Sequence, residues 1–247
     1  MLTVRHLTLQ YPNGKCALSD FNLTVKPGEL VIVLGGNGSG KTTLLRCITR
    51  TLAPTAGEIW VNDTDLTRLA GEKLRCARLQ LAMISQHASL VRRSSVLANV
   101  ATGSLGRHFT PWTAIGGLPA SELRAAYDYL DEVGLVGLAQ QRAGTLSGGQ
   151  AQRVAIARAL AQKPKVLLAD EPVASLDPEA AEEIMRLLRR LAVEENLAVL
   201  CVLHQVELAY AYANRVVGIR DGRIAFDLPR GEVSRDAVKR LYMSEAA

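Results

Sequence analysis

The chain has 247 residues, of which 48% are hydrophobic and 21% are charged. This composition is ordinary for a globular protein, and the length fits one large domain or one domain with an insert. The formal net charge is +5, but the basic clusters are no longer than pairs, as in Arg92-Arg93 and Arg189-Arg190. Nucleic-acid-binding proteins usually concentrate such an excess in blocks of Lys and Arg. The charge therefore suits a face that meets phosphates or a membrane surface, without deciding between them.

Neither a membrane span nor a secretory signal is predicted. No apolar run approaches the roughly 18 residues that cross a bilayer, and the N-terminus lacks a cationic start followed by an apolar stretch. The cysteines are far apart in the sequence, which favours reduced thiols over disulfides or a metal site; they are Cys16, Cys47, Cys76 and Cys201. The histidines also lack the spacing of metal ligands.

The first 95 residues predict strands, a glycine-rich loop and a helix. Residues 2–34 read as strands with a turn at Pro27-Gly28. Residues 30–34 are apolar throughout, as expected of a parallel strand that is buried on both faces. The remaining elements of this part are a helix at about 41–50, which Pro54 and Gly57 end, and short strands at 58–61 and 81–85.

Residues 96–145 contain helical pieces, such as 121–133, but no strong strand, so we interpret them as a helical insert. Strands and helices alternate again after this insert. The predicted elements are helices at about 149–161 and 180–195, strands at 166–169 and 198–203, and two antiparallel segments at 215–220 and 223–228 around a turn at Asp221-Gly222. This alternation predicts an α/β fold with a largely parallel sheet.

The glycine-rich loop matches the phosphate-loop pattern G-x-x-x-x-G-K-[ST], and it lies between a buried strand and a helix. Its glycines allow main-chain N–H groups to surround a phosphate, and the helix directs its positive dipole end at the same anion. We expect Lys41 to reach the β- and γ-phosphates of a nucleotide and the Thr42 hydroxyl to bind Mg²⁺. The loop consists of Gly35, Gly36, Asn37, Gly38, Ser39, Gly40, Lys41 and Thr42.

Two carboxylates follow the apolar strand at 166–169. Asp170 and Glu171 would emerge at the carboxyl end of this strand, where α/β sheets bind ligands. We predict that Asp170 joins the Mg²⁺ shell and that Glu171 polarises an attacking water. The alternative is an acidic N-cap for the next helix, a role that suits Asp177 better because Pro178 follows it.

A second glycine-rich helix start comes before the acidic strand, in the sequence Leu146-Ser147-Gly148-Gly149-Gln150. One phosphate chain needs one such cradle, so the second is expected to serve a nucleotide held mainly by another copy of the chain. This reasoning predicts a dimer with nucleotide at its interface. The alternative is that Ser147 simply caps the helix, with permissive glycines behind it.

With these motifs in this order, the chain resembles the ATP-binding cassette (ABC) ATPases over nearly its whole length. Gly36 stands where proline is commoner in that family. The resemblance implies an ABC-type P-loop core with a mainly parallel sheet, an N-terminal antiparallel β subdomain and a helical insert. It divides this single domain into a nucleotide-binding core at about 1–95 and 146–230, the insert at about 96–145 and a C-terminal helix at about 231–247.

The resemblance also implies roles for further residues, with ATP and Mg²⁺ as the bound groups. Tyr11 would stack on adenine, Ser175-Leu176-Asp177 would cross the dimer interface, and His204 would contact the γ-phosphate. The implied catalytic residues are Lys41, Glu171 and His204, and the implied metal site comprises Thr42, Gln86 and Asp170. The implied nucleotide-binding residues are Tyr11, Gly35, Gly36, Asn37, Gly38, Ser39, Gly40, Lys41, Thr42, Thr43, Gln86, Ser147, Gly148, Gly149 and Gln150.

A narrower resemblance is to the ATP-binding subunits of phosphonate importers, carried mainly by stretches at 96–107, 169–178, 204–209 and 217–223. It implies an ATPase at the cytoplasmic face of the inner membrane that works as a homodimer with permease subunits and a substrate-binding protein. The substrate is expected to be a phosphonate, with phosphite, phosphate or another small oxyanion as the remaining candidates. A different importer, an exporter or lipid-handling ATPase, and a cassette protein acting on DNA or ribosomes are the rival functions. A single cassette without a long heptad segment disfavours the last class, so no nucleic acid partner is expected.

The permease is expected to dock beside Gln86, because a short membrane-subunit helix needs a groove with apolar anchors. The groove could be lined by His87-Ala88-Ser89-Leu90-Val91, which follows Gln86, and by Val96, Leu97 and Val100 at the start of the insert. Alternatively, these side chains form the core of the insert itself. With the permease docked in the groove, Arg92 and Arg93 would face lipid head groups or acidic permease residues.

Overall fold

The computed structural model describes residues 1–108, 113 and 117–243. Parts of the predicted insert and the last four residues of the predicted C-terminal helix thus lie outside the described residues. The strands are β1 (Leu2–Gln10), β2 (Cys16–Val25), β3 (Leu30–Leu34), β4 (Ala56–Val61), β5 (Thr64–Asp65), β6 (Leu81–Ile84), β7 (Val166–Asp170), β8 (Ala198–Val202), β9 (Arg215–Arg220) and β10 (Arg223–Pro229).

The α-helices described are α1 (Lys41–Ile48), α2 (Gly71–Arg78), α3 (Val96–Ala101), α4 (Ala120–Glu132), α5 (Gly148–Ala161), α6 (Pro178–Glu194), α7 (Val206–Tyr212) and α8 (Arg235–Tyr242). Short 3-10 turns lie at Leu66–Arg68, Thr102–Arg107, Val136–Leu138, Ala143–Thr145 and Arg230–Glu232. Among the described residues, no helix combines the length and the apolar character that crossing a membrane requires.

Two sheets organise the fold. The larger has the order β10-β9-β3-β8-β7-β6, and every neighbouring pair in it is parallel except β9 and β10 at one edge. The smaller is antiparallel, with the order β2-β1-β4-β5. The predicted α/β class, with a mainly parallel sheet and an N-terminal antiparallel sheet, is confirmed. The described part of residues 96–145, the predicted insert, contains helices and turns but no β-strand.

Strand β3 separates two hydrophobic cores. Leu30, Ile32 and Leu34 face one core, which is shared with helices α3 to α6, and Val31 and Val33 face the other, which is shared with α1 and the antiparallel sheet. All five side chains are fully buried. The run is apolar throughout because alternate residues of a strand point to opposite faces and both faces are covered here.

The carboxyl ends of three neighbouring strands meet at one edge of the parallel sheet. Val33 of β3 and Asp170 of β7 both pair with Val202, the last residue of β8. The glycine-rich loop, the two carboxylates and His204 follow these strand ends directly. The topology therefore brings together segments that are more than 100 residues apart in the sequence.

The observed bounds differ from the predicted ones mainly at helix ends. Helix α1 stops at Ile48 rather than near residue 50, because Arg50 has a left-handed backbone with φ of 57°. Helix α6 begins earlier than predicted, with Pro178 at its first position and the Asp177 carboxylate accepting the Ala180 N–H at 2.9 Å. The cap assigned to Asp177 is thus confirmed. All four cysteines are free, as predicted, with Cys47 and Cys201 buried and the other two exposed.

Candidate nucleotide site

The glycine-rich loop has a backbone that side chains would disrupt. A Cβ atom on Gly35 would lie 2.4 Å from the Ile219 carbonyl oxygen and 2.7 Å from Ser39 Oγ. Gly40 has φ of 111°, and a Cβ atom there would lie 2.6 Å from the Ala17 carbonyl oxygen. Close approach therefore requires glycine at both positions, and at Gly40 the left-handed backbone requires it as well.

Lys41, the first residue of α1, folds back over the loop that precedes it. Its ammonium group donates to the carbonyl oxygens of Gly35 and Gly36, both at 2.8 Å. Burial lowers the pKa of Lys41, and the nearby carboxylates of Glu171 and Asp170 oppose that shift. A buried cation at this position is suited to bind the phosphate groups of a nucleotide.

Asp170 is the last residue of β7, and the Thr42 hydroxyl lies close enough to act on the pKa of its carboxyl group. Burial and the neighbouring Glu171 raise the pKa of Asp170, while Arg46, Lys41 and the Thr42 hydroxyl act in the opposite direction. Its Oδ1 atom is buried and, among the described residues, has no hydrogen-bond partner. A hydroxyl next to a carboxylate with an unpaired oxygen fits Mg²⁺, which prefers oxygen ligands and keeps much of its shell for water and phosphate.

Glu171 leaves the strand direction and turns toward His204. Its backbone has φ of 50°, an uncommon conformation for a residue other than glycine, and its N–H donates to the Val202 carbonyl at 3.1 Å. Glu171 Oε1 lies 2.7 Å from His204 Nε2. The carboxylate is thus held by a histidine that follows the neighbouring strand.

Most of the phosphate loop, Glu171 and His204 line a pocket of about 280 Å³, which we call the nucleotide pocket; Gly35, Gly36 and Asp170 are not in its lining. Tyr11 stands at one side of it, with its hydroxyl 3.4 Å from Thr43 Oγ1. Lys15 and Ala17 also line the pocket and were missed by sequence reasoning, although their position just after Tyr11 was a usable signal. The lining residues are Tyr11, Lys15, Ala17, Asn37, Gly38, Ser39, Gly40, Lys41, Thr42, Thr43, Glu171 and His204.

The structure does not place Gln86 in the lining of the nucleotide pocket. Gln86 is exposed, two residues beyond the end of β6. That position is still at the carboxyl edge of the sheet, because Ile84 of β6 pairs with Ala169, the residue before Asp170.

The second glycine-rich helix start is also apart from the nucleotide pocket of its own chain. Ser147 Oγ accepts the Gln150 N–H at 3.3 Å, and Gln150 Oε1 accepts the Ser147 N–H at 3.0 Å, which is a reciprocal capping box. The capping role considered for Ser147 is therefore observed. Gly148 is exposed, whereas Gly149 packs against α6, where a Cβ atom would lie 3.0 Å from that of Ala180.

Comparison with known proteins agrees with this geometry. The family model described as ABC transporter matches residues 18–174. A phosphonates import ATP-binding protein from Wolinella succinogenes is 43% identical over 245 residues, covering 99% of this chain and 89% of that protein. The protein of the same name from Frankia casuarinae is 47% identical over 227 residues, covering 92% of this chain and 90% of the relative.

Solved structures show the same fold. The cbiO1 protein of Clostridium perfringens, part of the ABC transporter complex cbiONQ, has a TM-score of 0.84 at 31% identity and covers 97% of this chain and 92% of its own. The ATP-binding cassette MJ0796, dimeric and bound to ADP and Pi after hydrolysis, has a TM-score of 0.80 at 31% identity, with coverage of 93% and 99%. The chain belongs to the ABC transporter family, as one of its ATP-binding ATPase subunits.

Proposed function

We propose that this chain hydrolyses ATP in the nucleotide pocket to power the import of a phosphonate through a membrane permease. The observation that carries the hydrolytic part is the 2.7 Å contact between Glu171 and His204, in the pocket that the phosphate loop also lines. The names of the relatives from Wolinella succinogenes and Frankia casuarinae support phosphonate as the substrate class. The substrate itself is not expected to touch this subunit.

Several polar groups in and beside the nucleotide pocket are proposed to have roles in this reaction. Lys41 is proposed to move from the loop carbonyls to the β- and γ-phosphates, and Thr42 and Asp170 to hold Mg²⁺, with Gln86 reaching it from the end of β6. Bound Mg²⁺ supplies charge neutralisation on the phosphate oxygens. Glu171 accepts a proton from the attacking water, and His204 holds the Glu171 carboxylate in place and contacts the γ-phosphate.

Growth on a single phosphorus source tests the substrate class. Deleting the gene for this chain in its host should abolish growth on methylphosphonate but leave growth on phosphate unchanged. The wild-type gene should restore growth, and a Lys41→Ala gene should not. If the deletion strain still grew on phosphonates and the purified chain hydrolysed ATP, the chain would instead be the ATPase of another importer or of an exporter.

The working unit is proposed to be a homodimer in which Ser147, Gly148 and Gly149 contact the γ-phosphate bound by the other copy. Two features support this arrangement: the helix start is exposed away from its own pocket, and the MJ0796 cassette is dimeric after hydrolysis. Mixing Lys41→Ala and Ser147→Arg subunits tests it, because a mixed dimer then places both defects in one composite site and leaves the other intact. Restored ATPase activity is expected.

Two results would count against contacts between copies. One is that mixing restores no ATPase activity, although mixed dimers form and each site is shown to hydrolyse ATP without the other. The other is an ATP-bound structure in which Ser147 lies more than about 6 Å from any γ-phosphate of the other copy, since a hydrogen bond spans about 3 Å.

The apolar residues that were expected to receive the permease belong largely to the core of the insert. Val96 and Val100 are fully buried, as the alternative interpretation predicts, and Leu90 and Leu97 pack against the same core but are only partly buried. Val91 is 57% exposed and is the exception. Val96 and Val100 are buried because they lie on the side of α3 that faces α4 and α5.

We propose instead that the permease docks in a groove of about 650 Å³ between the core and the insert. Met83 of β6 lies in it, 39% exposed and three residues before Gln86, and Leu105 and Gly106 border it from the insert. Docking here would hold the subunit at the cytoplasmic face of the membrane. A substrate-binding protein would deliver its ligand to the permease from the opposite face.

A charge placed in this groove tests the docking site. Met83→Asp should abolish phosphonate uptake while the ATPase activity of the isolated subunit stays near the wild-type value. Val193→Asp is the matched control, because Val193 is an exposed apolar residue of α6 outside the groove. Normal uptake with Met83→Asp, or loss of ATPase activity by this variant alone, would refute the assignment.

A further inference from the structure

The segment that carries Gln86 is bound to helix α5 by an arginine side chain. Residues 85–89, which we call the Gln86 segment, follow the end of β6. Arg158 of α5 donates from Nη2 to the Ala88 carbonyl oxygen at 2.8 Å and from Nη1 to the Ser89 carbonyl oxygen at 2.9 Å. Because a guanidinium group presents its donors as a planar fork, this one side chain fixes two successive peptide groups.

A second side chain of α5 holds the other end of the Gln86 segment. Gln152 is buried, and its Nε2 donates to the Ser85 carbonyl oxygen at 3.2 Å. The main chain is therefore held on both sides of Gln86. Gln86 itself is exposed, so its side chain can reach a ligand while the peptide groups before and after it are fixed.

The Gln86 segment has few other hydrogen bonds. Within the described part of the chain, residues 86–89 make no hydrogen bond between two main-chain groups. The hydroxyls of Ser85 and Ser89 donate to the His87 carbonyl oxygen at 2.6 and 3.1 Å, but these bonds stay inside the segment. Among the described residues, the hydrogen bonds that tie the segment to another element are therefore those from α5.

The Arg158 guanidinium is half-buried and binds carbonyl oxygens rather than a carboxylate. Burial lowers the pKa of Arg158, and no carboxylate of the described residues offsets this shift. Arginine nevertheless stays protonated at neutral pH, so both bonds have a charged donor. Such bonds are shorter and stronger than those between neutral groups, which suits a lasting link between α5 and the Gln86 segment.

We propose that Arg158 is a positioning residue that makes the Gln86 segment and the glycine-rich start of α5 move as one body. This inference rests on the proposed function, in which Gln86 serves the pocket of its own chain and Ser147 contacts the γ-phosphate bound by the other copy. Helix α5 is continuous from Gly148 to Ala161, so a displacement of its first turn is transmitted to Arg158. ATP bound by one copy thereby shifts Gln86 in the pocket of the other copy.

Arg158→Met removes the fork and keeps an unbranched side chain. NMR relaxation of the nucleotide-free chain measures the anchor: the main-chain order parameters of residues 86–89 should fall from about 0.85 to below about 0.6. Arg153→Met is the matched control, because Arg153 lies in the same helix but pairs with Glu183 at 3.4 Å, and it should leave these values unchanged. Arg158→Lys, which lacks the fork, should lower them less and serves if Arg158→Met does not fold. Wild-type order parameters in whichever Arg158 variant folds would overturn the inference.

Steady-state ATP hydrolysis tests the link between the two pockets. The wild type should show a Hill coefficient for ATP between about 1 and 2, as two coupled sites allow, and Arg158→Met should approach about 1. Arg153→Met should keep the wild-type coefficient. The kcat of Arg158→Met should also fall roughly three- to thirtyfold, within the range found for residues of one hydrogen-bonded network.

The Gln86→Ala background separates positioning from a purely structural role. If Arg158 acts through Gln86, Arg158→Met should change kcat by less than about twofold in Gln86→Ala. An equal loss of kcat in both backgrounds, or a wild-type Hill coefficient of about 1, would overturn the inference. The order parameters are measured without nucleotide, so they test the anchor separately from the ATPase. A wild-type chain that neither binds nor hydrolyses ATP would instead remove the proposed function itself.

Discussion

Glu171→Gln tests the proposed base most directly. Glutamine has nearly the same size, its carbonyl oxygen can still accept a hydrogen bond from His204 Nε2, now 2.7 Å from Glu171 Oε1, and it meets the same backbone requirement at φ of 50°. What it cannot do is take up the proton of the attacking water. The substitution therefore removes one chemical step and preserves the local structure.

The expected loss in kcat is at least about 100-fold, because a positioned general base contributes roughly 10²- to 10⁴-fold. A 100-fold loss corresponds to about 2.7 kcal/mol in the activation free energy. MgATP binding should not weaken. Glu171 raises the pKa of Asp170, so removing its charge makes Asp170 ionise more readily for Mg²⁺.

Phosphate release at saturating MgATP measures the loss, and binding of a fluorescent ATP analogue measures the affinity. The variant should also accumulate as a dimer with MgATP in gel filtration, since hydrolysis is expected to reopen the dimer. Glu194→Gln, at the far end of α6, is the control for loss of an exposed carboxylate. Turnover by Glu171→Gln within about threefold of the wild-type value would refute its role as base.

Three further predictions concern the phosphate loop and the insert. Lys41→Ala should abolish measurable phosphate release, because it removes the buried cation proposed to meet the β- and γ-phosphates. Gly35→Ala should abolish ATP binding, since its Cβ would lie 2.4 Å from a carbonyl oxygen, whereas Gly36→Ala, whose nearest contact is 3.5 Å, should bind ATP nearly normally; equal affinities would contradict the loop geometry. Burial works to raise the pKa of Glu122, but hydrogen bonds from His108 and Arg107 outweigh it and the pKa is lowered. The stabilisation this gives is complete above the unfolded pKa, near 4.3, and is lost as the pH falls through the lower folded value, so the melting-temperature difference between the wild type and Glu122→Gln should shrink below about pH 4.

The parts of the fold that could be predicted from sequence are those in which local pattern and tertiary environment agree. Residues 30–34 are apolar throughout because both faces of β3 are buried, and the observed strand has the predicted bounds. The phosphate loop was predictable because a short glycine-rich pattern between a buried strand and a helix is enough to identify it. By contrast, α2 at Gly71–Arg78 has a single buried residue, Ala77, so its sequence has too little apolar periodicity to predict a helix.

The sequence predicts those site residues whose positions follow from the carboxyl ends of neighbouring strands. Asp170, Glu171 and His204 follow strands whose carboxyl ends must share an edge, and the structure brings the last two into contact. The burial of Val96 and Val100 could not be deduced, since an apolar stripe on a short helix fits a core and a docking groove equally well.

The left-handed backbone at Glu171 separates the tasks of two adjacent acids. On a continuous strand, neighbouring side chains would point to opposite faces of the sheet. Here Glu171 adopts a left-handed backbone directly after the strand ends at Asp170. The Asp170 carboxylate therefore stays near Thr42, whereas the Glu171 carboxylate reaches His204. This conformation costs roughly 1 to 2 kcal/mol for a residue with a side chain, so at position 171 glycine would suit the backbone better than the glutamate that we propose as the base. Stability and turnover therefore make opposite demands on a single residue of this chain.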